Sequence, residues 1–166
     1  MNRKRLGFGM MRLPIINGDN QNVDFEKACA LVDAFLEKGC SYFDSSYVYH
    51  GGKSEEITRK TVVERHPRDQ FTIATKLPLW AIASENDVIE LFRKQLANCG
   101  VEYFDYYLLH NLDGHIYDVS MKPNKVFETA FELKKAGKIR NLGFSYHDCP
   151  EELDRILSEH PEVDFV

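Results

Sequence analysis

The sequence has no apolar run as long as ten residues, no Cys-x-x-Cys pair, no basic cluster beyond Arg3-Lys4-Arg5 and no low-complexity tract. Each absence removes a class of protein. A membrane-spanning helix needs about 20 consecutive apolar residues, so no span and no membrane partner are expected. The basic start is not followed by the apolar core of a secretory signal, about 7–15 residues long. The four cysteines, Cys29, Cys40, Cys99 and Cys149, lie far apart. They read as free thiols of a reducing, cytoplasmic protein, with no structural zinc site and no bound metal. Lysine and arginine number 21 against 26 acids, a net charge of −5, which argues against nucleic acid as a partner. Apolar residues make up 43% and charged residues 28% of the 166 positions. That is an ordinary globular composition, at a length of about one domain, and residues 1–166 are expected to form a single unit without internal linkers.

Along the chain, β-type runs alternate with helical ones. The strands are expected at Leu6–Leu13, Ser41–Tyr49, Phe71–Leu77, Asp105–His110, Asn141–Tyr146 and Val163–Val166. Most are continuous apolar runs, as parallel strands buried on both faces require. Between them, Asp24–Lys38 repeats Phe25, Ala28, Leu31, Val32, Phe35 and Leu36 on one helical face, with Asp24 as its cap and Gly39 as its stop. Ser54–Arg65 opens with Ser54 as a cap and two glutamates in its first turn. Ser84–Cys99 opens with Ser84-x-x-Asp87, a capping box, and ends at Gly100. Lys125–Ala136 stops at Gly137, and Pro150–Glu159 carries proline in its first turn.

Strict β-α alternation means a parallel sheet with right-handed crossovers, either doubly wound or a (β/α)8 barrel. The doubly wound dinucleotide fold wants G-x-G-x-x-G between strand and helix. Gly7-Phe-Gly9 is followed by Met10-Met11-Arg12, and the helix begins more than ten residues later, so that motif fails. Strand starts fall roughly 22–36 residues apart, and eight such units need about 250 residues. The expectation is an α/β chain of (β/α)8 TIM-barrel type, present as an incomplete barrel of about five βα units plus the start of a sixth strand. Its end at Asp164-Phe-Val166, inside an apolar strand, reads as a truncated barrel. Open sheet edges then suggest self-association.

In such a barrel the chemistry belongs at the C-terminal ends of the strands. Those ends read Phe43-Asp44 through Tyr49-His50, Thr75-Lys76, Leu109-His110 and Phe144-Ser145. A charge within an apolar strand needs a partner, which singles out Lys76 and Asp44. An ammonium beside a tyrosine stabilises the phenolate and makes the phenol a stronger acid. An aspartate fixes the ammonium, and a neutral histidine can orient a carbonyl oxygen. Together they suit protonation of a carbonyl as hydride arrives.

Five stretches carry a family resemblance: Leu6-Gly-Phe-Gly-Met-Met-Arg-Leu-Pro14; Tyr42-Phe-Asp-Ser-Ser-Tyr-Val-Tyr49 with Ser54-Glu55; Ala74-Thr-Lys76; Tyr103-Phe-Asp-Tyr-Tyr-Leu-Leu-His110; and Gly137-Lys-Ile-Arg-Asn-Leu-Gly-Phe-Ser145. In this order and spacing the chain resembles the N-terminal part of an aldo-keto reductase, closest to bacterial members. The resemblance implies a (β/α)8 barrel that uses NADPH, less often NADH, to reduce aldehydes and ketones. It implies Asp44, Tyr49, Lys76 and His110 as the catalytic set, with Tyr49 as general acid. It also implies Gly9, Met10, Met11, Asp44 and Ser145 on the cofactor side. Trp80, two residues past Pro78, is expected at the substrate pocket.

The sequence departs from the family pattern at Tyr146, where asparagine is common, and at Met10, where threonine is common. It stops before the later strands that carry the nicotinamide stack and the phosphate loops. Two other readings stand beside the reductase: a non-catalytic half-barrel module, and a metal-dependent hydrolase using His50, His110, His147 and Asp44. Lys76 argues against the latter as a second cation beside a metal. Ser45 and Ser46 have no base at triad spacing and are expected to serve the turn. His50, His115 and His147 are expected in loops.

Overall fold

A computed structural model describes residues 4–166; Arg3 of the basic triplet lies outside them. Five parallel strands follow one another in chain order, β1-β2-β3-β4-β5: β1 (Gly7–Gly9), β2 (Tyr42–Asp44), β3 (Thr72–Pro78), β4 (Phe104–Leu112) and β5 (Ile139–Tyr146). Helices fall between them: α1 (Phe25–Glu37), the tight turn α2 (Tyr49–Gly52), α3 (Ser54–Thr58), α4 (Glu85–Cys99), the single turn α5 (Gly114–Ile116), α6 (Val126–Lys135) and α7 (Pro150–Glu159). No helix among the described residues is long and apolar enough to cross a membrane. By contacts the chain divides into two compact units, one running to Thr75 with Gln95–Val101, the other Lys76–Lys94 with Glu102–Val166.

In the first unit β1 pairs with β2, Phe8 opposite Phe43 and Gly9 opposite Asp44; β2 pairs with β3, Asp44 opposite Ala74. Side chains alternate across a strand, so Phe8, Phe43 and Ile73 share one face. Phe35 of α1 closes on it, with ring centroids 5.4 Å from Phe8 and 5.2 Å from Phe43. Rings at this separation and tilt add about 0.5–1.5 kcal/mol beyond their buried area. The other face carries Gly7, Gly9, Tyr42 and Asp44. A Cβ at Gly7 would lie 2.8 Å from the Tyr42 ring, so glycine is what lets that ring cross the strand.

The expected caps of α1 and α4 are present. Asp24 accepts the Lys27 N–H at 3.1 Å, and Asp87 reaches back to the Ser84 N–H at 2.7 Å. The stops at Gly39, Gly100 and Gly137 all take positive φ, the left-handed ending that glycine favours. Ser54 does not cap its helix: Lys53 holds the cap position, and the Ser54 hydroxyl pairs with Ser45 Oγ at 2.9 Å. Beyond Thr58 that helix widens into a π turn over Arg59–Val63.

In the second unit β4 and β5 pair from Phe104–Ile139 to Leu112–Tyr146, with a bulge between Leu109 and Leu112. Phe92 of α4 meets Tyr107 at 5.0 Å and Phe104 at 5.7 Å, edge to face. Three expected strands are shorter in the structure. The Leu6–Leu13 segment keeps only β1 before turning into a 3-10 helix over Met10–Arg12, and Ser41–Tyr49 keeps only β2. At Val163–Val166 there is a single bridge, Phe165 to Gly143. Apolar runs at these places continue into buried turns: Met10 and Leu13 are core residues outside any strand.

Candidate active site

Within the first unit, the strand ends hold Gly9, Met10, Met11, Asp44 and Tyr49. Asp44 closes β2 opposite Gly9, and its Oδ2 accepts the Tyr42 hydroxyl at 3.3 Å. Space around Gly9 is open: a Cβ there would meet nothing within 4 Å. Met10 is fully buried, whereas Met11 is exposed. Tyr49 starts the α2 turn and is half-buried. Ser45 and Ser46, just after β2, are fully buried.

His50 is not a loop histidine open to solvent. It is 1% exposed, with Nδ1 2.8 Å from the Asn20 carbonyl and Nε2 2.8 Å from the Met10 carbonyl. Both ring nitrogens are therefore occupied, which removes His50 from the ligand set that the hydrolase reading needs. His147 lies in the loop after β5, as expected, whereas His115 lies in the helical turn α5; both are exposed.

A second feature of this unit escaped the sequence reading. Glu55 is 1% exposed and gathers three side-chain donors: Thr75 Oγ1 and Gln95 Nε2 on Oε1, each at 2.7 Å, and Asn98 Nδ2 on Oε2 at 2.9 Å. A buried carboxylate persists only when so satisfied. The carboxylate and burial together push the Cys99 thiol well up, burial being the larger cause.

Within the second unit, Lys76 lies near the end of β3 and is 6% exposed. His110 sits near the end of β4, its ring 5.4 Å from that of Trp80. Trp80 itself is 56% exposed, in the 3-10 turn Leu79–Ala81 that follows β3. After His110, Asn111 takes a left-handed φ of 60° at the β4 bulge, and its N–H donates to Ser145 Oγ at 2.7 Å. Asparagine is one of the few non-glycine residues that adopts this backbone readily, and here it turns the chain just after His110. Ser145 thus spends a lone pair on the backbone and keeps its own hydrogen for another acceptor.

Each residue proposed from the sequence therefore lies at, or just beyond, the C-terminal end of a parallel strand, where barrel enzymes keep their chemistry. Comparison with known proteins points the same way. The aldo/keto reductase family model matches residues 5–166. An aldo-keto reductase of Bacillus subtilis, YhdN, is 30% identical over 145 residues, covering 83% of this chain and 42% of its own length. An uncharacterised oxidoreductase of the same organism, YqkF, is 32% identical over 149 residues, covering 84% and 44%. The chain thus spans less than half the length of these relatives. An aldo-keto reductase of Bacillus halodurans, solved in its holo form, superposes with a TM-score of 0.70 at 25% identity, over 97% of this chain and 60% of that one. One from Klebsiella pneumoniae, solved with NADPH, gives 0.73 at 22% identity over 92% and 48%. The likeness at the lower identity is one of fold: an α/β chain of TIM-barrel type, partial in these 166 residues. With a family model running from the first strand to the last residue, and the family's motifs standing at the strand ends, the chain belongs to the aldo/keto reductase family.

Proposed function

We propose that the protein is an NADPH-dependent carbonyl reductase in which Tyr49 is the general acid. The observation that carries this reading is the occurrence of Asp44, Tyr49, Lys76 and His110, in family order, at successive strand ends of a chain of this family. Tyr49 gives its proton to the carbonyl oxygen of an aldehyde or ketone and leaves as a phenolate. Lys76, as the ammonium, stabilises that phenolate. Asp44 keeps the lysine charged and in place. His110, neutral, donates a hydrogen bond that orients the carbonyl, and Trp80 beside it offers an apolar wall to the substrate. NADH is the rival cofactor.

The residues present fit the nicotinamide end of such a cofactor. Ser145 retains a hydroxyl hydrogen to give a carboxamide oxygen, and the open space at Gly9 permits close approach of a ring. Gly9, Met11 and Ser145 would hold the group, which supplies the hydride when bound. The solved relative that carries NADPH supports this choice.

The test is Tyr49→Phe, followed by NADPH consumption with a panel of small aldehydes and ketones. Loss of the general acid lowers turnover by about 10²–10⁴-fold and leaves NADPH binding, read by fluorescence titration, unchanged. Full turnover in the variant overturns the reading. A protein that binds no NADPH favours the non-catalytic half-barrel instead.

A further inference from the structure

Tyr49 is followed by three consecutive residues in the left-handed region: His50 (φ 53°, ψ 42°), Gly51 (φ 64°) and Gly52 (φ 87°). For the glycines this costs little. Histidine, like asparagine, is among the non-glycine residues that enter this region most often, so what sets His50 apart is its ring, which holds two other segments.

It does so through two bonds. Nδ1 and Nε2 each lie 2.8 Å from a backbone carbonyl oxygen, those of Asn20 and Met10. A carbonyl oxygen only accepts. A ring N–H can donate to it, and the two nitrogens of one imidazole reach both oxygens at once. The two carbonyls belong to separate segments: Met10 to the turn after β1, Asn20 to the loop before α1. The same loop presses the turn from the other side, since a Cβ at Gly51 would lie 2.7 Å from the Gln21 side chain. Of the charged groups on the segments packed here, Arg12, Asp19, Lys53 and Glu56 are exposed, and Glu55 is buried on its own three donors.

We propose that His50 is a positioning residue: its ring, set between the Met10 and Asn20 carbonyls, holds those two segments together and fixes the backbone from which the Tyr49 side chain projects. The proposal rests on Tyr49 being the general acid only for its catalytic consequence. The tether itself is independent of that reading.

The experiment is amide hydrogen exchange on the full chain, wild type and His50→Asn; the variant accepts the left-handed backbone but cannot span both carbonyls. In the variant the Tyr49 amide, which donates to the Ser46 carbonyl at 3.3 Å, exchanges about tenfold faster or more. In turnover, His50→Asn lowers kcat about tenfold or more with KM for the carbonyl held, because the acid is misplaced rather than the substrate. Tyr49 amide exchange unchanged in the variant overturns the proposal. If wild type and variant both lack turnover, the general-acid reading fails for this chain, and amide exchange still decides the tether.

Discussion

Removing the Glu55 carboxylate tests whether its three donors hold the first unit together. Glu55→Ala removes the acceptor from the Thr75 hydroxyl and the Gln95 amide, both fully buried, and from the half-buried Asn98 amide. A buried donor left unmade costs about 1–3 kcal/mol. Asn98 and water recover part of the third, so the two lost buried bonds set the scale, up to about 2–6 kcal/mol. With a urea m-value of about 2 kcal/mol/M for a chain of this size, the unfolding midpoint drops by about 1–3 M. Glu55→Gln separates hydrogen bonding from charge. Its oxygen can keep the place of Oε1 and both 2.7 Å bonds, while its NH2 faces Asn98, whose amide turns over to accept. That variant costs only about 1 kcal/mol. Far-UV circular dichroism during urea unfolding reads both. A Glu55→Ala midpoint within experimental scatter of the wild type refutes the argument, as does a Glu55→Gln loss equal to that of Glu55→Ala.

Two further outcomes follow from single contacts. A Cβ at Gly143 would lie 2.5 Å from the Phe165 carbonyl oxygen and 2.7 Å from its ring, so Gly143→Ala displaces Phe165 and destabilises by about 1–3 kcal/mol; an unchanged melting temperature would show that the Phe165 bridge contributes nothing. His160 stacks on Phe127 with ring centroids 3.8 Å apart, and burial, the main cause, holds its pKa below the ordinary value. The unfolded chain therefore takes up that proton first, and stability falls as pH drops through about 6.5 toward the lower folded value. Melting curves between about pH 8 and 5 show a smaller acid loss in His160→Gln than in the wild type; equal slopes refute the assignment.

Much of this fold could be read from local pattern. The buried runs at Thr72–Pro78 and Phe104–Leu112, the cap at Asp24, the reach-back from Asp87 and the stop glycines act over a few residues. Propensity and periodicity encode such features directly. The strand-end motifs were legible for the same reason, since Asp44 and Tyr49, or Ala74 and Lys76, stand close together in the chain. What only the tertiary structure decided spans long separations. The Glu55 donors come from positions 20, 40 and 43 residues away, the Asn111 amide meets Ser145 across 34, and His50 reaches Met10 across 40. These partners are chosen when parallel strands pair and buried polar atoms must each find a complement. A histidine before two glycines reads locally as a loop. It becomes a buried tether only because two carbonyls from other segments arrive at its two nitrogens.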